Sequence, residues 1–255
     1  MSSPTRRFEG SVAAVTGAGA GNGRATALRF AKEAATVALL DPDADQLQAV
    51  LDEIVRAGGN ALALHADLTQ EAAVVAAFDT LHRKHGPVSI LANCYGRSAR
   101  EDAREFHESV AQTWETVIRA SLFPAIYCSR QVVNDMRERR SGSIINISSD
   151  VAYCGDKTFA EYAAAKSGLH GFTRTLAREL APFAVTVNAI PCGAIRSIAH
   201  TLLPSTVMDA IKATIPLGRV GEPEEVAALV AFLASDEARY LTGQTIPLNG
   251  GRWMG

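Results

Sequence analysis

Tyr162, Lys166 and Ser149 are the residues whose types and spacing suit proton transfer. Tyr162 and Lys166 are four residues apart in EYAAAKSGLHGFTRTLAREL, about one helical turn, so both side chains should project from one helix face. The lysine cation would favour phenolate and lower a tyrosine pKa that starts near 10. Ser149 lies thirteen residues before the tyrosine, at the end of the apolar run SGSIINISS. We therefore predict an acid–base site without histidine, which moves a proton while a hydride travels elsewhere.

A second tyrosine–lysine pair, Tyr153 and Lys157, has the same spacing. A glycine and an aspartate separate its members and favour a loop, whereas three alanines separate Tyr162 from Lys166 and favour a helix. The position thirteen residues before Tyr153 is Arg140, not a serine. Tyr162 alone could be an amphipathic core residue, but the nucleotide-binding pattern described below favours the catalytic interpretation.

Composition excludes several functional classes. The 255 residues could form one large α/β domain or two small ones, and 47% of them are hydrophobic. A formal net charge of −2 gives no general attraction to nucleic acid or to an acidic membrane, and no apolar run reaches the roughly 18 residues of a membrane span. The four scattered cysteines and six histidines have no metal-ligand spacing. Together with a polar beginning, they predict a cytoplasmic protein without a metal site.

Short β-rich runs alternate with helical patterns almost from end to end. Several runs are apolar throughout, as expected when helices cover both faces of a sheet. This rhythm predicts an α/β Rossmann fold with a doubly wound, seven-stranded parallel sheet. We predict a single domain over 1–255, with a helical insertion near 196–217 that could cover the site as a lid. The predicted strands are 12–17, 36–40, 61–66, 88–93, 143–148, 184–190 and 244–248.

A glycine-rich turn follows the first predicted strand, in VAAVTGAGAGNGRATALRFA. It fits T-G-x-x-x-G-x-G through Thr16, Gly17, Gly21 and Gly23. Glycines here would let a pyrophosphate approach main-chain N–H groups at the helix start, although such a turn could also be only a tight connection.

Asp41 makes nucleotide binding the stronger interpretation. It ends the second predicted strand, eighteen residues after Gly23, close to the roughly 20-residue spacing of an acid that binds the adenosine ribose. A carboxylate there accepts hydrogen bonds from ribose hydroxyls and repels a 2′-phosphate, and neither Ala20 nor Pro42 supplies a cation for that phosphate. We therefore predict NAD as the cofactor instead of NADP.

These motifs, in this order, resemble the short-chain dehydrogenase/reductase family. The resemblance runs nearly end to end and includes VNAIPCGAIRS (187–197) and IPLGRVGEPEEVAALVAFLASDEARYLTGQTIPLNGG (215–251). It implies that Ser149 hydrogen-bonds the substrate oxygen, that Tyr162 exchanges its proton, and that Lys166 lowers the tyrosine pKa and holds the nicotinamide ribose. The cofactor contacts that it implies, besides Tyr162 and Lys166, are Gly17, Gly21, Asn22, Gly23, Asp41, Asp67, Leu68, Asn93, Gly96, Ile195 and Ser197.

The sequence departs from the family pattern at three places. Tyr95 stands where alanine usually borders the cofactor, and Cys192-Gly193 replaces the usual Pro-Gly. Aligning WETVIRASL with the family motif puts Ser121 where a fourth catalytic residue, asparagine, is expected to help hold a relay water. If the helix continues, Pro124 leaves the carbonyl of Ala120 without its partner, and that carbonyl and the Ser121 hydroxyl could hold the same water.

The leading hypothesis is an NAD-dependent enzyme that interconverts a secondary alcohol and its ketone. The alternatives are a 3-oxoacyl reductase acting on acyl carrier protein or CoA thioesters, a hydroxyacyl-CoA dehydrogenase, and, from another class, a low-turnover dinucleotide-binding sensor or scaffold. The resemblance further implies a homotetramer, in which Trp253 and Met254 of the tail would pack against a neighbour.

Overall fold

Six parallel strands form one sheet at the centre of the molecule. The computed structural model describes residues 6–197 and 204–255. The strand order is β3-β2-β1-β4-β5-β6, which is typical of a Rossmann-like fold and places the switch point of the sheet between β1 and β4. The strands are β1 Val12–Thr16, β2 Thr36–Asp41, β3 Asn60–His65, β4 Ile90–Asn93, β5 Gly142–Ser149 and β6 Val185–Cys192.

Helices cover both faces of this sheet. They are α1 Gly21–Lys32, α2 Ala44–Arg56, α3 Glu71–His85, α4 Ala111–Ser121, α5 Phe123–Arg139, α6 Val151–Cys154, α7 Ala160–Leu180, α8 Ser205–Ala213 and α9 Pro223–Ala234. In β1, Ala13 and Val15 face the core under α1, α2 and α9, whereas Val12 and Ala14 face the core under α3, α5 and α7. Both faces are therefore buried, which explains why the strands are apolar throughout.

The predicted seventh strand is wrong, because segment 244–248 pairs with β6 only through isolated bridges. Bridges form at Ala189–Thr245 and at Cys192–Leu248, in the same register. The rung between them would require an N–H from Pro191, and proline has none. The segment therefore runs beside β6 without forming a continuous ladder.

The helical region before β5 is also divided in two. Leu122, with φ of −122°, separates α4 from α5, so the helix does not continue through Pro124 as the relay hypothesis assumed. Pro124 lies instead in the first turn of α5, where a missing N–H costs nothing. Within residues 6–197 and 204–255, no helix has the length and apolar character required to cross a membrane.

Candidate active site

The three residues predicted to move a proton line one cleft. Ser149 lies at the carboxyl end of β5, and Tyr162 and Lys166 lie in the first turns of α7. Their side chains border a cavity of about 540 Å³ at the edge where parallel strands end. Helix α8, which lies within the predicted lid, lines the same cavity with the apolar residues Val207, Ala210 and Ile211, and Thr214 lines it directly after the helix. Residues 198–203 of the predicted lid lie outside the described part of the chain.

Lys166 is buried, with 3% of its surface exposed, and its ammonium group is held in place. The Nζ donates a hydrogen bond of 2.9 Å to the carbonyl of Ile147 and lies 5.7 Å from the ring centroid of Tyr162. Burial lowers the pKa of Lys166 to about 8. Burial also raises the pKa of the neighbouring Cys94 and Cys192 thiols to about 12. At neutral pH the lysine is therefore a cation beside neutral thiols and can stabilise negative charge on the phenol oxygen.

Polar contacts between α7 and β5 fix the rotation of the helix that carries Tyr162. The Ser148 hydroxyl donates to the carbonyl of Lys166 at 3.1 Å and lies 2.9 Å from Nε2 of His170. One turn further on, the Asn146 amide donates to the hydroxyl of Thr173 at 2.9 Å. Burial lowers the pKa of His170 to about 4, so the ring is neutral and serves as a hydrogen-bonding partner. The strand that ends in the candidate serine therefore also orients the candidate acid.

The second tyrosine–lysine pair lies elsewhere. Tyr153 is on the short helix α6, which ends before Gly155, and its ring stacks on Trp253 at a centroid distance of 3.9 Å. Tyr153 does not line the cleft. Phe159 does line it, and its ring centroid lies 6.4 Å from that of Tyr162. Trp253 thus packs against its own chain, and its expected contact with a neighbouring subunit stays a prediction.

The glycine-rich turn leaves room for a phosphate at the start of α1. A Cβ on Gly23 would stand 2.0 Å from the carbonyl oxygen of Gly17, so only glycine allows the helix to approach the turn this closely. Gly17 and Gly21 have φ of +66° and +50°, which glycine adopts readily. Ala20 precedes α1 and offers no side-chain cap, so the first N–H groups can bind an anion.

Asp41 and this turn line a second cavity, of about 410 Å³. Its carboxylate accepts hydrogen bonds from the N–H groups of Gly19 at 3.0 Å and Asp43 at 2.9 Å. A carboxylate has about four acceptor sites, so two remain for ribose hydroxyls. The described lining contains no lysine or arginine: it consists of Gly17, Ala20, Gly21, Asn22, Gly23, Asp41, Gln46, Cys94, Tyr95, Gly96 and Ser197.

The two cavities share Asn22, Cys94 and Gly96, so they adjoin between the glycine turn and Tyr162. The uncapped helix start, the close approach at Gly23 and the acid beside the turn fit a nicotinamide dinucleotide. They would hold its pyrophosphate and adenosine ribose, and Lys166 would hold the nicotinamide ribose.

Comparisons with known proteins agree with this geometry. A family model described as Enoyl-(Acyl carrier protein) reductase matches residues 17–252. The short-chain reductase protein NovJ of Streptomyces niveus is 40% identical over 250 residues, covering 95% of this chain and 94% of NovJ. The 3-oxoacyl-(acyl-carrier-protein) reductase FabG of Thermotoga maritima is 36% identical over 245 residues, covering 96% of this chain and 98% of FabG. The chain belongs to the short-chain dehydrogenase/reductase family.

A solved member of this family has the same fold as the present short-chain dehydrogenase/reductase. It is a 3-oxoacyl-(acyl-carrier-protein) reductase from Brucella melitensis with bound NAD. The TM-score is 0.91 at 29% sequence identity, covering 99% of this chain and 94% of that chain. The family membership makes the present protein an oxidoreductase that acts on alcohol or ketone groups.

Ser121 is bonded to the loop after β4 in this short-chain dehydrogenase/reductase. Its hydroxyl donates to the carbonyl of Arg97 at 2.7 Å and accepts from the N–H of the same residue at 3.1 Å. The single hydroxyl proton is therefore used, and the predicted relay water could only donate to the remaining lone pair, so the relay role stays a prediction. The anchored loop contains Gly96, where a Cβ would stand 3.0 Å from Nζ of Lys166 and 3.5 Å from Oγ of Ser121. Ser121 therefore holds the backbone that packs against Lys166.

The remaining predicted cofactor residues occupy different surroundings. Ile195 lines the cleft and pairs with Gly221. Asp67 is exposed, and its carboxylate accepts from Thr69. The side chain of Leu68 is fully buried. Asn93 is buried and donates to Asn146 at 2.9 Å, so its side chain links β4 to β5 and does not line either cavity.

Three charged residues of the cleft wall, Asp150, Asp156 and Arg252, were not among the predicted site residues. Asp150 directly follows the candidate serine, and Arg252 comes from the tail of the chain, yet both line the cavity and bond to each other at 3.1 Å. They are 102 positions apart, and no periodicity or motif spacing joins them. Only the path of the segment after β6 brings them together.

Proposed function

We propose that this protein reversibly reduces the 3-oxo group of an acyl thioester to a hydroxyl group, with NADH as the hydride donor. The observation that carries the proposal is the convergence of Ser149, Tyr162 and Lys166 on one cleft that continues into the dinucleotide cavity. Relatives named 3-oxoacyl reductases, matched over nearly their whole length, support this substrate class over secondary alcohols in general.

The three residues divide the work of proton transfer. Ser149 donates a hydrogen bond to the carbonyl oxygen and orients it, while Tyr162 gives that oxygen its phenol proton as negative charge develops there. Lys166 stabilises the phenolate that remains, and solvent restores its proton. The adjoining cavities would hold a nicotinamide dinucleotide, which would supply the hydride for the carbonyl carbon. One hydride and one proton together convert the C=O group into CH–OH.

We propose NAD(H) as the cofactor because of Asp41. A 2′-phosphate on the adenosine ribose would bring its negative charge next to a carboxylate that two backbone N–H groups already hold in place. Tyr95 and Gln46, which also line this end of the cavity, supply no positive charge to offset the repulsion. The carboxylate accepts hydrogen bonds from unmodified ribose hydroxyls without such a penalty.

Initial rates with acetoacetyl-CoA, a 3-oxoacyl thioester, test both parts of the proposal. We expect turnover, with kcat/KM larger for NADH than for NADPH, and we expect Asp41→Ala to narrow that difference. Comparable values for the two cofactors in the unmodified protein would contradict the role of Asp41. No turnover of the thioester, together with NAD-dependent oxidation of simple secondary alcohols, would favour the broader alcohol dehydrogenase function.

We further propose that the protein forms a homotetramer with two-fold interfaces. Large apolar side chains that remain exposed in the single chain support assembly, among them Tyr240, Leu217 and Met254. Light scattering at micromolar concentration should give four times the mass of the chain, and a monomer mass across the concentration range would reject the proposal.

A further inference from the structure

An ion-pair cluster on the wall of the cleft has no part in the proton transfer described above. Arg252 donates from Nη1 to Oδ1 of Asp150 at 3.1 Å and from Nη2 to Oδ1 of Asp156. All three residues line the catalytic cavity. The guanidinium therefore contacts two positions six residues apart in the chain and bridges them.

The pair formed with Asp150 is largely withdrawn from water. Asp150 is 2% exposed, and the side chain of Arg252 is 20% exposed. Burial raises the pKa of Asp150, and the charge of Arg252 opposes that rise, whereas the carboxylate of Asp156 adds to it. The thiols of Cys154 and Cys192 are the other titratable groups close to this carboxylate. Removing the guanidinium would leave a buried acid without its countercharge, which is strongly unfavourable.

Neighbouring contacts seat the tail that carries Arg252. The ring of Trp253 stacks on that of Tyr153 with an interplanar angle of 4°. The side-chain amide of Asn249 donates to the carbonyl of Trp253 at 3.1 Å. The backbone of Asn249 packs closely on Gly193, because a Cβ on Gly193 would stand 2.8 Å from the Cα of Asn249. The tail is thus packed between the end of β6 and helix α6.

The segment that Arg252 bridges connects the two halves of the proton-transfer site. Asp150 directly follows Ser149, and Asp156 precedes the turn that leads through Phe159 into α7 and Tyr162. We propose that Arg252 is a positioning residue, which holds this segment so that Ser149 and Tyr162 reach the same substrate oxygen. This inference rests on the proposed function for its effect on turnover.

Arg252→Met tests the inference, because it keeps an unbranched apolar stem and removes the charge and the donors. We expect kcat with acetoacetyl-CoA to fall roughly 10- to 100-fold, since a misplacement of about 1 Å can cost that much, while the affinity for NADH changes little. Arg239→Met is the matched control, because Arg239 forms an exposed pair with Asp236 and should leave kcat unchanged.

The double variant Asp150→Asn, Arg252→Met distinguishes a positioning role from a role in stability alone, because its kcat and pH profile depend on the charge of Asp150. The neutral amide does not need a countercharge, so we expect the double variant to recover part of the lost kcat. We also expect Arg252→Met to be impaired most at high pH, where Asp150 is ionised, and the double variant to lose this dependence. The inference would be overturned if kcat of Arg252→Met stayed within twofold of kcat of the unmodified protein. It would also be overturned if kcat fell only in proportion to the fraction of molecules that no longer bind NADH.

Arg252→Lys serves if the methionine variant fails to fold. A lysine retains the charge but cannot bridge two carboxylates with the planar fork of arginine, so kcat should still fall several-fold. Fluorescence of Trp253 in a Trp114→Phe background reports on the tail without any turnover. A red shift caused by Arg252→Met supports the bridge even if acetoacetyl-CoA is not a substrate, and an unchanged spectrum together with an unchanged kcat contradicts it.

Discussion

Replacing Ser121 with alanine removes two hydrogen bonds to one backbone position. The serine is 2% exposed, and its hydroxyl both donates to and accepts from Arg97. Each neutral hydrogen bond contributes about 0.5–1.5 kcal/mol, so the free energy of unfolding should fall by about 1–3 kcal/mol. The hydroxyl itself is buried, so water does not easily take its place.

Thr116→Ala is the matched control for this change. Thr116 lies in the same helix, α4, but is exposed, and its hydroxyl donates only to the carbonyl of Gln112 one turn earlier. Its removal should change the free energy of unfolding by no more than about 0.5 kcal/mol. Urea unfolding followed by circular dichroism compares the two variants directly, provided that their m-values agree.

The rate provides the second half of the test. Because the loop held by Ser121 packs on Lys166 through Gly96, its release should lower kcat in Ser121→Ala. Ser121→Asn should also lower kcat, because the larger amide must displace the backbone of Arg97. The competing view is that the family's relay is broken in this chain and that Ser121 only packs. An alanine variant equal to the control in stability and rate, with an asparagine variant of raised kcat, would refute our reasoning.

Three further changes test other parts of the site. Tyr162→Phe should lower kcat by about 10²- to 10⁴-fold with little effect on NADH binding, whereas Tyr153→Phe should leave the chemical step intact. The reverse pattern would refute the assignment of Tyr162 as the acid. Gly23→Ala should abolish NADH binding, measured by fluorescence titration, because the new Cβ would overlap the carbonyl oxygen of Gly17. Gly171→Ala, whose Cβ would project into open space beside α7, should bind NADH as the unmodified protein does. Burial lowers the folded-state pKa of Lys166 from 10.5 to about 8. The free energy of unfolding of the unmodified protein, compared with that of Lys166→Met, should therefore rise by about 3 kcal/mol as pH increases from about 8 to 10.5. A difference that stays constant over this pH range would contradict the buried, charged lysine.

Much of the fold could be predicted from the sequence because apolar runs and turn residues act locally. Six of the seven predicted strands are present within two residues of their predicted bounds. The seventh was wrong because apolar character predicts burial, whereas a continuous ladder also requires N–H donors on both strands. Pro191 lies opposite Pro247, and neither residue has that donor.

The candidate site could be predicted where one element supplies the spacing. Tyr162 and Lys166 share a helix, so their proximity follows from helical geometry. The bonds of Ser121 to Arg97 could not be predicted, because they depend on how the loop after β4 crosses the end of α4. The pairing of Asp150 with Arg252 likewise depends on the course of the tail, which no local pattern encodes.

Burial divides the four thiols of this chain into two classes of chemical reactivity. The thiolate is the form that reacts with maleimides, and burial raises the pKa of the Cys94, Cys128 and Cys192 thiols far above neutrality. Desolvation also raises the pKa of Cys154, but this thiol alone is exposed, at the end of α6 beside the stacked Tyr153. At alkaline pH a dye should therefore couple first to this position without any engineered cysteine. The sequence thus provides a preferred attachment point on the segment that joins the two halves of the site.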